Sequence, residues 1–360
     1  MGAGCLELFV IDAAIGFDIG RYRLADVQYC EYNPVYAGSD YGFKIPSEKN
    51  FMTQNITPLK ERCGLVSIIG RPNVGKSTLL NAILDEKVSI VSKVPQTTRN
   101  RIRGIYSDER GQIIFIDTPG FVTGRDNLDK LLKKASLATV QEADCVIHLV
   151  DSSEPTGEEE ERIVERLADA KIPILVGLNK IDLKGKYVHE YIELWERVKG
   201  KSIQEIENLT LLPLSGERKT NIEKLLDLLF ACLKEGPALY PKDTVCDIPQ
   251  KIVIADIIRE KLLHIVRQEV PHALTVVIET IEPRRRKTLY IRAVVLVERD
   301  SQKEIVIGKA GHVLKEVGTQ ARQELEVLLD KKIFLETYVK TKKDWRDNIP
   351  LLHELGYDMY

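Results

Sequence analysis

The chain has 360 residues, of which 44% are hydrophobic and 29% charged, and its formal net charge is -2. These proportions are those of a folded globular protein and exclude disordered and collagen-like chains, while the length predicts two domains. Six scattered cysteines without a C-x-x-C pair indicate neither a zinc site nor a disulfide framework. No apolar run reaches the roughly 18 to 20 residues that cross a bilayer, which argues against an integral membrane protein.

Residues 1–51 differ in pattern from the rest of the chain. They contain five tyrosines between Tyr22 and Tyr41, and their apolar residues concentrate in a short stretch at 6–15. No basic region precedes that stretch, as a secretory signal requires, and acidic residues outnumber basic ones, unlike in transit peptides. Two interpretations stay open: a poorly ordered leader, or a translation start at Met52.

The first chemical motif is a glycine-rich loop at 70–77, GRPNVGKS, which follows an apolar strand and precedes a helix. It matches G-x-x-x-x-G-K-S in the required context. Its backbone N–H groups are expected to wrap phosphates, with Lys76 on the β and γ phosphates and Ser77 on Mg²⁺. The expected nucleotide contacts here are Gly70, Asn73, Val74, Gly75, Lys76, Ser77 and Thr78.

A second motif, DTPG, follows the strand at 113–116. The carboxylate of Asp117 should lie on the Mg²⁺ side of the phosphates, where Gly120 would sense the γ-phosphate. We expect Thr118 and Pro119 to contact the nucleotide as well. Alone this pattern is a common turn, but after a P-loop it indicates a nucleotide switch.

The choice of base is indicated by NKID at 179–182, which ends the strand at 172–178. The Asp182 carboxylate can accept from the ring N–H and the exocyclic amine of guanine, whereas adenine would present a ring acceptor to it. Asn179, Lys180 and Asp182 therefore predict a preference for GTP over ATP. Ser215, in the sequence SGE at 215–217, stands where a final guanine-binding loop is expected.

Two threonines lie between the first two motifs, in PQTTR at 95–99. One of them could close over Mg²⁺ when the γ-phosphate is present. We expect Thr98 to be this ligand, so that Ser77, Thr98 and Asp117 form the metal set. Thr97 is the second candidate for this role and is also expected to contact the nucleotide.

The order of elements predicts a P-loop G domain at 52–235, an α/β fold with a mostly parallel sheet and helices on both faces. Strands are expected near Leu65, Arg103, Ile113, Cys145, Ile174 and Leu211. Helices are expected at 76–84, 126–142, 157–170, 188–199 and 219–234.

After a proline-containing linker at 236–250, residues 251–360 predict an α+β second domain. The expected elements are, in chain order, a helix at 252–268, strand-like runs at 274–282 and 288–297, a third short run at 304–307, a helix at 312–329 and a strand at 332–339. The loop GKAG lies before the second helix. This arrangement resembles a type II KH domain, whose G-x-x-G loop clamps a nucleic-acid backbone. The expected RNA contacts are Gly308, Lys309, Ala310 and Gly311.

Two further features of this domain stay open. The basic run RRRK at 284–287 lies in a predicted hairpin turn, where it could bind nucleic acid or only keep the loop soluble. Trp345 and Arg346 could stack on RNA or have a packing role.

Together these motifs resemble the Era family of bacterial and organellar GTPases over essentially all of 52–360. The resemblance is carried by GRPNVGKS at 70–77, PQTTR at 95–99, DTPG at 117–120, NKID at 179–182, IGKAG at 307–311, KDWR at 343–346 and LGY at 355–357. It implies a GTPase that binds the 3′ region of 16S ribosomal RNA and assists assembly of the 30S subunit. GTP would favour RNA binding and hydrolysis would permit release.

The resemblance also implies GTP or GDP with Mg²⁺ as cofactors, and a cytoplasmic monomer with some peripheral association with the inner membrane. The expected catalytic residues are Asn73, Lys76, Thr98 and Gly120.

Asn73 resembles a potassium-ligating asparagine of related GTPases. Phe121 stands where small signalling GTPases carry a water-orienting glutamine, which predicts slow intrinsic turnover. The alternative is a nucleotide-gated RNA or membrane-surface binding module with negligible turnover.

Overall fold

The computed structural model describes residues 61–92, 94, 97–118, 126–267 and 269–357, without the side chains of 135–138 and 286. The expected leader or alternative start at 1–51 therefore lies outside the described residues. Within the described ranges the strands form a six-stranded and a three-stranded sheet. Each sheet has its own buried apolar core, as two domains require.

The first sheet has the strand order β2-β3-β1-β4-β5-β6 and is parallel except for β2, which runs antiparallel to β3. Its strands are β1 (Arg62–Ile69), β2 (Ile102–Asp108), β3 (Gly111–Asp117), β4 (Cys145–Asp151), β5 (Ile174–Asn179) and β6 (Leu209–Pro213). Strands β3 and β4 are buried along their whole length, because helices cover both faces of a sheet of this kind.

Two separate cores lie on the two faces of this sheet. One involves α1 (Lys76–Leu84) and α5 (Ile222–Cys232), and the other involves α3 (Glu158–Ala168) and α4 (Val188–Lys199). A fifth helix, α2 (Asn127–Glu142), follows β3 in the chain. The prediction of a mostly parallel sheet with helices on both faces is confirmed.

The second sheet has the order β7-β8-β9, with β7 antiparallel and β9 parallel to β8. Its elements are α6 (Gln250–Ile265), α7 (Val270–Ala273), β7 (Thr275–Arg284), β8 (Thr288–Val297), α8 (Asp300–Ile307), α9 (His312–Leu329), β9 (Lys332–Thr341) and α10 (Ile349–Glu354). Helices α6 and α9 pack on one face of the sheet and bury its core. This is the expected KH arrangement.

The strand-like run expected at 304–307 is wrong, since the structure has helix α8 there. The amide oxygen of Gln302 accepts hydrogen bonds from the backbone N–H groups of Glu298 and Arg299, which satisfies donors at the start of the helix. Val306 is fully buried while Ile305 is exposed. The three adjacent apolar residues at 305–307 predict a strand from sequence. In the structure, Val306 alone provides the fully buried contact with the core that a short helix needs.

The two domains meet across a shared apolar cluster. Leu128 and Leu132 of α2 pack with Trp345, which is fully buried, and with Leu352 of α10. The Trp345 indole N–H donates to the carbonyl of Ala273 at 2.8 Å. Of the two roles left open for Trp345, the structure therefore shows packing.

Candidate nucleotide and RNA sites

The nucleotide motifs lie together because the strands that carry them are parallel. Strand β1 lies between β3 and β4, and β5 lies next to β4, so 70–77, Asp117 and Asn179 all emerge at the carboxyl edge of the sheet. This is the edge at which open α/β sheets bind ligands.

The loop at 70–77 depends on two glycines. A Cβ at Gly70 would lie 2.2 Å from the carbonyl oxygen of Leu149. Gly75 has a φ of 100°, and a Cβ there would lie 2.4 Å from Nδ2 of Asn179. Larger residues are therefore excluded by space at both positions and by backbone conformation at Gly75.

Lys76 lies inside this loop, with its side chain almost fully buried. Its Nζ donates to the carbonyl oxygens of Gly70 at 3.0 Å and Arg71 at 2.8 Å. Burial lowers the pKa of Lys76 to about 8, against the opposing effect of Asp117. A desolvated ammonium held by the loop's own backbone is suited to bind an anion.

Three oxygen-bearing side chains meet beside Lys76. The Ser77 hydroxyl lies 2.8 Å from the Thr98 hydroxyl and donates to Oδ2 of Asp117 at 2.9 Å. The second carboxylate oxygen, Oδ1, is buried and has no hydrogen-bond partner in the described part of the chain. Burial raises the pKa of Asp117, while Lys76 acts in the opposite direction. A cluster of hard oxygen donors with an unsatisfied carboxylate oxygen fits a Mg²⁺ ion.

The hydroxyl of Thr97 is directed elsewhere, since it donates to the carbonyl of Val94 at 2.6 Å. Thr98 is thus the threonine that the structure brings to Ser77 and Asp117. Thr118 is buried and donates to the carbonyl of Ile68 at 3.0 Å, an interaction that fixes the end of β3 against β1.

The base-side residues are joined to the phosphate loop through Asn179. Its Nδ2 donates to the carbonyl of Val74 at 2.7 Å, and its Oδ1 accepts from the N–H of Gly216 at 3.0 Å. Lys180 donates to the carbonyl of Asn73 at 2.9 Å. Asp182 is exposed, as a base-binding carboxylate must be.

Ser215 takes a role within its own loop. It is fully buried, and its Oγ accepts from the N–H of Arg218 at 3.1 Å. The expected contacts Pro119 and Gly120, together with Phe121, lie outside the described residues. Pro95 and Gln96 of the expected switch lie outside them as well.

A buried charge network that the sequence does not reveal lies behind the phosphate loop. Nε of Arg71 lies 2.6 Å from Glu160 of α3, and Glu160 also bonds Nε2 of His148 at 2.7 Å. A further bond joins Arg71 to the Tyr191 hydroxyl at 2.7 Å. Glu160 belongs to the acidic run at 158–161, and a run of this kind predicts side chains that are exposed to solvent. Only its spacing to Ile163 and the other buried residues of α3 distinguishes it.

The loop GKAG of the second domain connects α8 to α9. Gly308 and Gly311 have φ values of 72° and 75°, and Ala310 also has a positive φ of 51°. A Cβ at Gly308 would lie 2.5 Å from Cγ2 of Val313, so this position requires glycine. Lys309 and Ala310 are exposed. The loop thus presents open backbone and one cation at the start of a long helix, which suits contact with a phosphate backbone.

Family models match both parts of the chain. Residues 65–180 match the model described as "50S ribosome-binding GTPase", and residues 269–346 match the model "KH domain".

Whole-chain relatives are also found. GTPase Era of Heliobacterium modesticaldum is 42% identical over 306 residues, covering 83% of this chain and 98% of that protein. GTPase Era of Geobacter sp. (strain M21) is 44% identical over 301 residues, covering 83% of this chain and 99% of that protein.

Two solved structures are similar over nearly their whole length. A single-residue variant of Aquifex aeolicus Era bound to GDP·AlF4⁻ has a TM-score of 0.76 and 35% identity, covering 82% of this chain and 99% of that one. Era in complex with MgGDPNP and nucleotides 1506–1542 of 16S ribosomal RNA has a TM-score of 0.76 and 34% identity, with the same coverage.

Proposed function

Since this chain belongs to the Era family of GTPases, we propose that it binds the 3′ region of 16S ribosomal RNA when GTP is bound and assists assembly of the 30S subunit. The chain is a GTPase with a C-terminal KH domain. The observation that carries the proposal is a direct contact between the expected switch segment at 97–99 and the KH domain.

That contact involves two buried arginines. Arg259 of α6 donates to the carbonyl of Thr97 at 2.5 Å, and Arg99 donates to the carbonyl of Leu274 at 2.8 Å. The Arg99 guanidinium also lies over the Trp345 ring, 5.7 Å from its centroid. Thr98, between these contacts, belongs to the oxygen cluster of the nucleotide site. A displacement of Thr98 therefore alters contacts to the KH domain, and RNA binding can respond to the nucleotide.

In the nucleotide site, Ser77, Thr98 and Asp117 would hold Mg²⁺, and Lys76 would hold the β and γ phosphates. Bound Mg²⁺ supplies charge neutralisation for the transferred phosphoryl group. Asn179 fixes the geometry between the phosphate loop and the base loop, and Asp182 selects guanine. Gly120 would sense the γ-phosphate.

Hydrolysis is proposed to be slow and to depend on potassium. Phe121 cannot orient water as glutamine does, so a cation near Asn73 would take part in positioning it. Single-turnover GTP hydrolysis by the unassisted protein should be slow in sodium buffer and faster in potassium buffer. Fast hydrolysis in sodium would contradict the potassium proposal, and no phosphate release over hours would favour the module with negligible turnover.

The family resemblance further supports a cytoplasmic monomer with peripheral association with the inner membrane. In the described part of the chain, no helix has the length and apolar character to cross a membrane. Sedimentation with anionic liposomes tests the peripheral association, and sedimentation equilibrium tests the monomer.

The proposed function is tested by identifying the cellular RNA that co-purifies with the protein and a non-hydrolysable GTP analogue. The Gly308→Asp variant and the GDP-bound protein are the controls. We expect enrichment of the 3′ region of 16S rRNA that is lost in the variant and reduced with GDP. Absence of any nucleotide-dependent RNA would contradict the proposal.

A further inference from the structure

The sheet of the KH domain has a second face, opposite α6 and α9. Along β8, Leu289 and Ile291 point into the core, so the alternating Tyr290 and Arg292 point away from it. Strand register places Phe334 of β9 beside Tyr290. We call Arg284, Tyr290, Arg292, Phe334, Glu336 and Tyr338 the aromatic face.

The face of the sheet that carries these residues is covered at one end, and the aromatic face lies next to the covered part. Val294 and Leu296 pack under α10 and α2 in the apolar cluster described above. Phe334 and Tyr338, by contrast, are 53% and 44% exposed. Phe334 and Tyr338 lie four residues apart on one face of β9, and it is grouped rather than single exposed apolar side chains that indicate an interaction surface.

The aromatic face is built of stacked rings and arginines. The rings of Tyr290 and Phe334 stack with centroids 5.9 Å apart, and the Arg284 guanidinium lies 3.9 Å from the Tyr290 centroid. Arg292 lies 5.9 Å from the Tyr338 centroid and bonds Glu336 at 3.3 Å. These contacts hold flat groups in place, which lowers the entropy lost when a further flat group stacks on them.

Positive charge is concentrated at one end of the aromatic face. Between residues 282 and 292 five basic residues stand against one acidic residue. Strand register aligns Arg284, Thr288 and Lys332 in one row, so the basic run at 284–287 and the start of β9 lie at the same end of the sheet. The carboxylate of Glu336 is matched by Arg292 and by the Tyr290 hydroxyl.

We propose that the aromatic face is a second RNA-binding surface, on which unpaired bases stack on Phe334 and Tyr338 while Arg284 and the adjoining basic run contact the phosphates. Every base has a face that stacks on an aromatic ring, and cations beside the rings neutralise the backbone. The inference rests on the proposed function and adds a surface separate from the loop at 308–311.

The test uses the full chain with a non-hydrolysable GTP analogue and labelled RNA of nucleotides 1506–1542 of 16S rRNA. The double variant Phe334→Ala, Tyr338→Ala should bind at least about tenfold more weakly, since stacking contributes roughly that much per base. The single variant Phe334→Tyr, which keeps an aromatic ring at this position, should bind the RNA nearly as tightly as the wild-type protein does. Val327→Ala, which removes an 84% exposed apolar side chain on α9, should leave affinity unchanged.

Ultraviolet crosslinking of the wild-type complex provides a readout that does not depend on any variant. RNA crosslinks should map to Phe334 or Tyr338 on β9. Binding that Gly308→Asp abolishes but the double variant retains, or crosslinks that avoid β9, would overturn the second surface and leave the proposed function standing. Failure of the wild-type protein to bind this RNA would overturn both.

Discussion

In the proposed recognition of guanine, Asn179 and Asp182 of NKID have different tasks. Asn179 is buried and joins the backbone of Val74 to that of Gly216, so its amide serves the protein itself. Asp182 is exposed, so its carboxylate is accessible to a base. Replacement of Asn179 should therefore disorder the site, whereas replacement of Asp182 should alter its specificity.

Asp182→Asn should change the preferred base. An amide offers one donor where the carboxylate offered an acceptor, so it suits xanthine, which has a carbonyl in place of the guanine amine. Loss of a charge-assisted bond of about 2–3 kcal/mol should weaken GDP binding by about 30- to 150-fold. Affinities for GDP and xanthosine diphosphate, measured by titration calorimetry, test this. An unchanged ratio of the two affinities would remove Asp182 from base recognition.

Cys232, at the end of α5, is the most reactive thiol expected among the described cysteines. A hydrogen bond from the Cys145 thiol lowers the pKa of Cys232 to about 7, whereas burial raises the pKa of both Cys63 and Cys246. The thiolate is the nucleophile, so alkylation of Cys232 should rise as the pH increases through about 7 and level off above it.

Iodoacetamide labelling at a series of pH values, with each peptide quantified by mass spectrometry, measures this midpoint. Cys145→Ala removes the donor and should move the midpoint towards the ordinary thiol value of about 8.5, while Cys145→Ser keeps a donor and should not. A midpoint near 8.5 in the wild-type protein would show that the hydrogen bond is absent in solution.

At the scale of elements, α3 supports the phosphate loop through Glu160. Its carboxylate is fully buried between Arg71 and His148. Glu160→Ala leaves Arg71 without its charge partner and should reduce the free energy of unfolding by about 3–5 kcal/mol. In a double-mutant cycle with Arg71→Ala, the losses should fall short of additivity by about 0.5–3 kcal/mol. Urea unfolding of the wild type, the two single variants and the double variant gives the free energies of unfolding. Strictly additive losses would show that Glu160 and Arg71 are not energetically coupled.

The positions of the nucleotide motifs were predictable because each one follows directly on a strand of a parallel sheet. Chain order then decides which ends of the strands meet, and this brings Ser77 and Asp117 together. Thr98 lies before β2 and follows no strand, so its contact with Ser77 does not follow from strand order. Helix α8 was not predictable from its apolar triplet, since its start depends on the Gln302 side chain. The buried role of Glu160 was concealed for a similar reason, because an acidic run looks solvated until the partner across the fold is known.

At the scale of the whole molecule, the contact between the domains depends on long-range pairs that the sequence does not reveal. Arg346 bonds Asp126 at 2.6 Å and Asp129 at 3.2 Å across more than 200 residues of chain. Lys87 bonds Glu260 and Glu324 of the KH domain. Such pairs have no periodic signal, so the sequence predicts the two domains and leaves their contact surface undefined.

Arg259→Met should weaken the coupling between nucleotide and RNA. The substitution removes the donor to Thr97 and keeps an unbranched side chain of similar length in the buried position. RNA affinity should then differ less between the GDP and GTP-analogue states, while Arg259→Lys should retain part of the difference because its ammonium keeps an N–H donor for the Thr97 carbonyl. Thermal melting checks that both variants fold. An unaltered difference in Arg259→Met would show that coupling takes another route.

The most direct test is the affinity of the wild-type chain for nucleotides 1506–1542 of 16S rRNA, measured at one salt concentration with GDP and with a non-hydrolysable GTP analogue. Allosteric coupling typically amounts to 1–3 kcal/mol, so we predict RNA binding about 5- to 150-fold tighter with the analogue. Equal affinity in the two states would contradict a GTP-gated RNA-binding protein, whatever the rate at which it hydrolyses GTP.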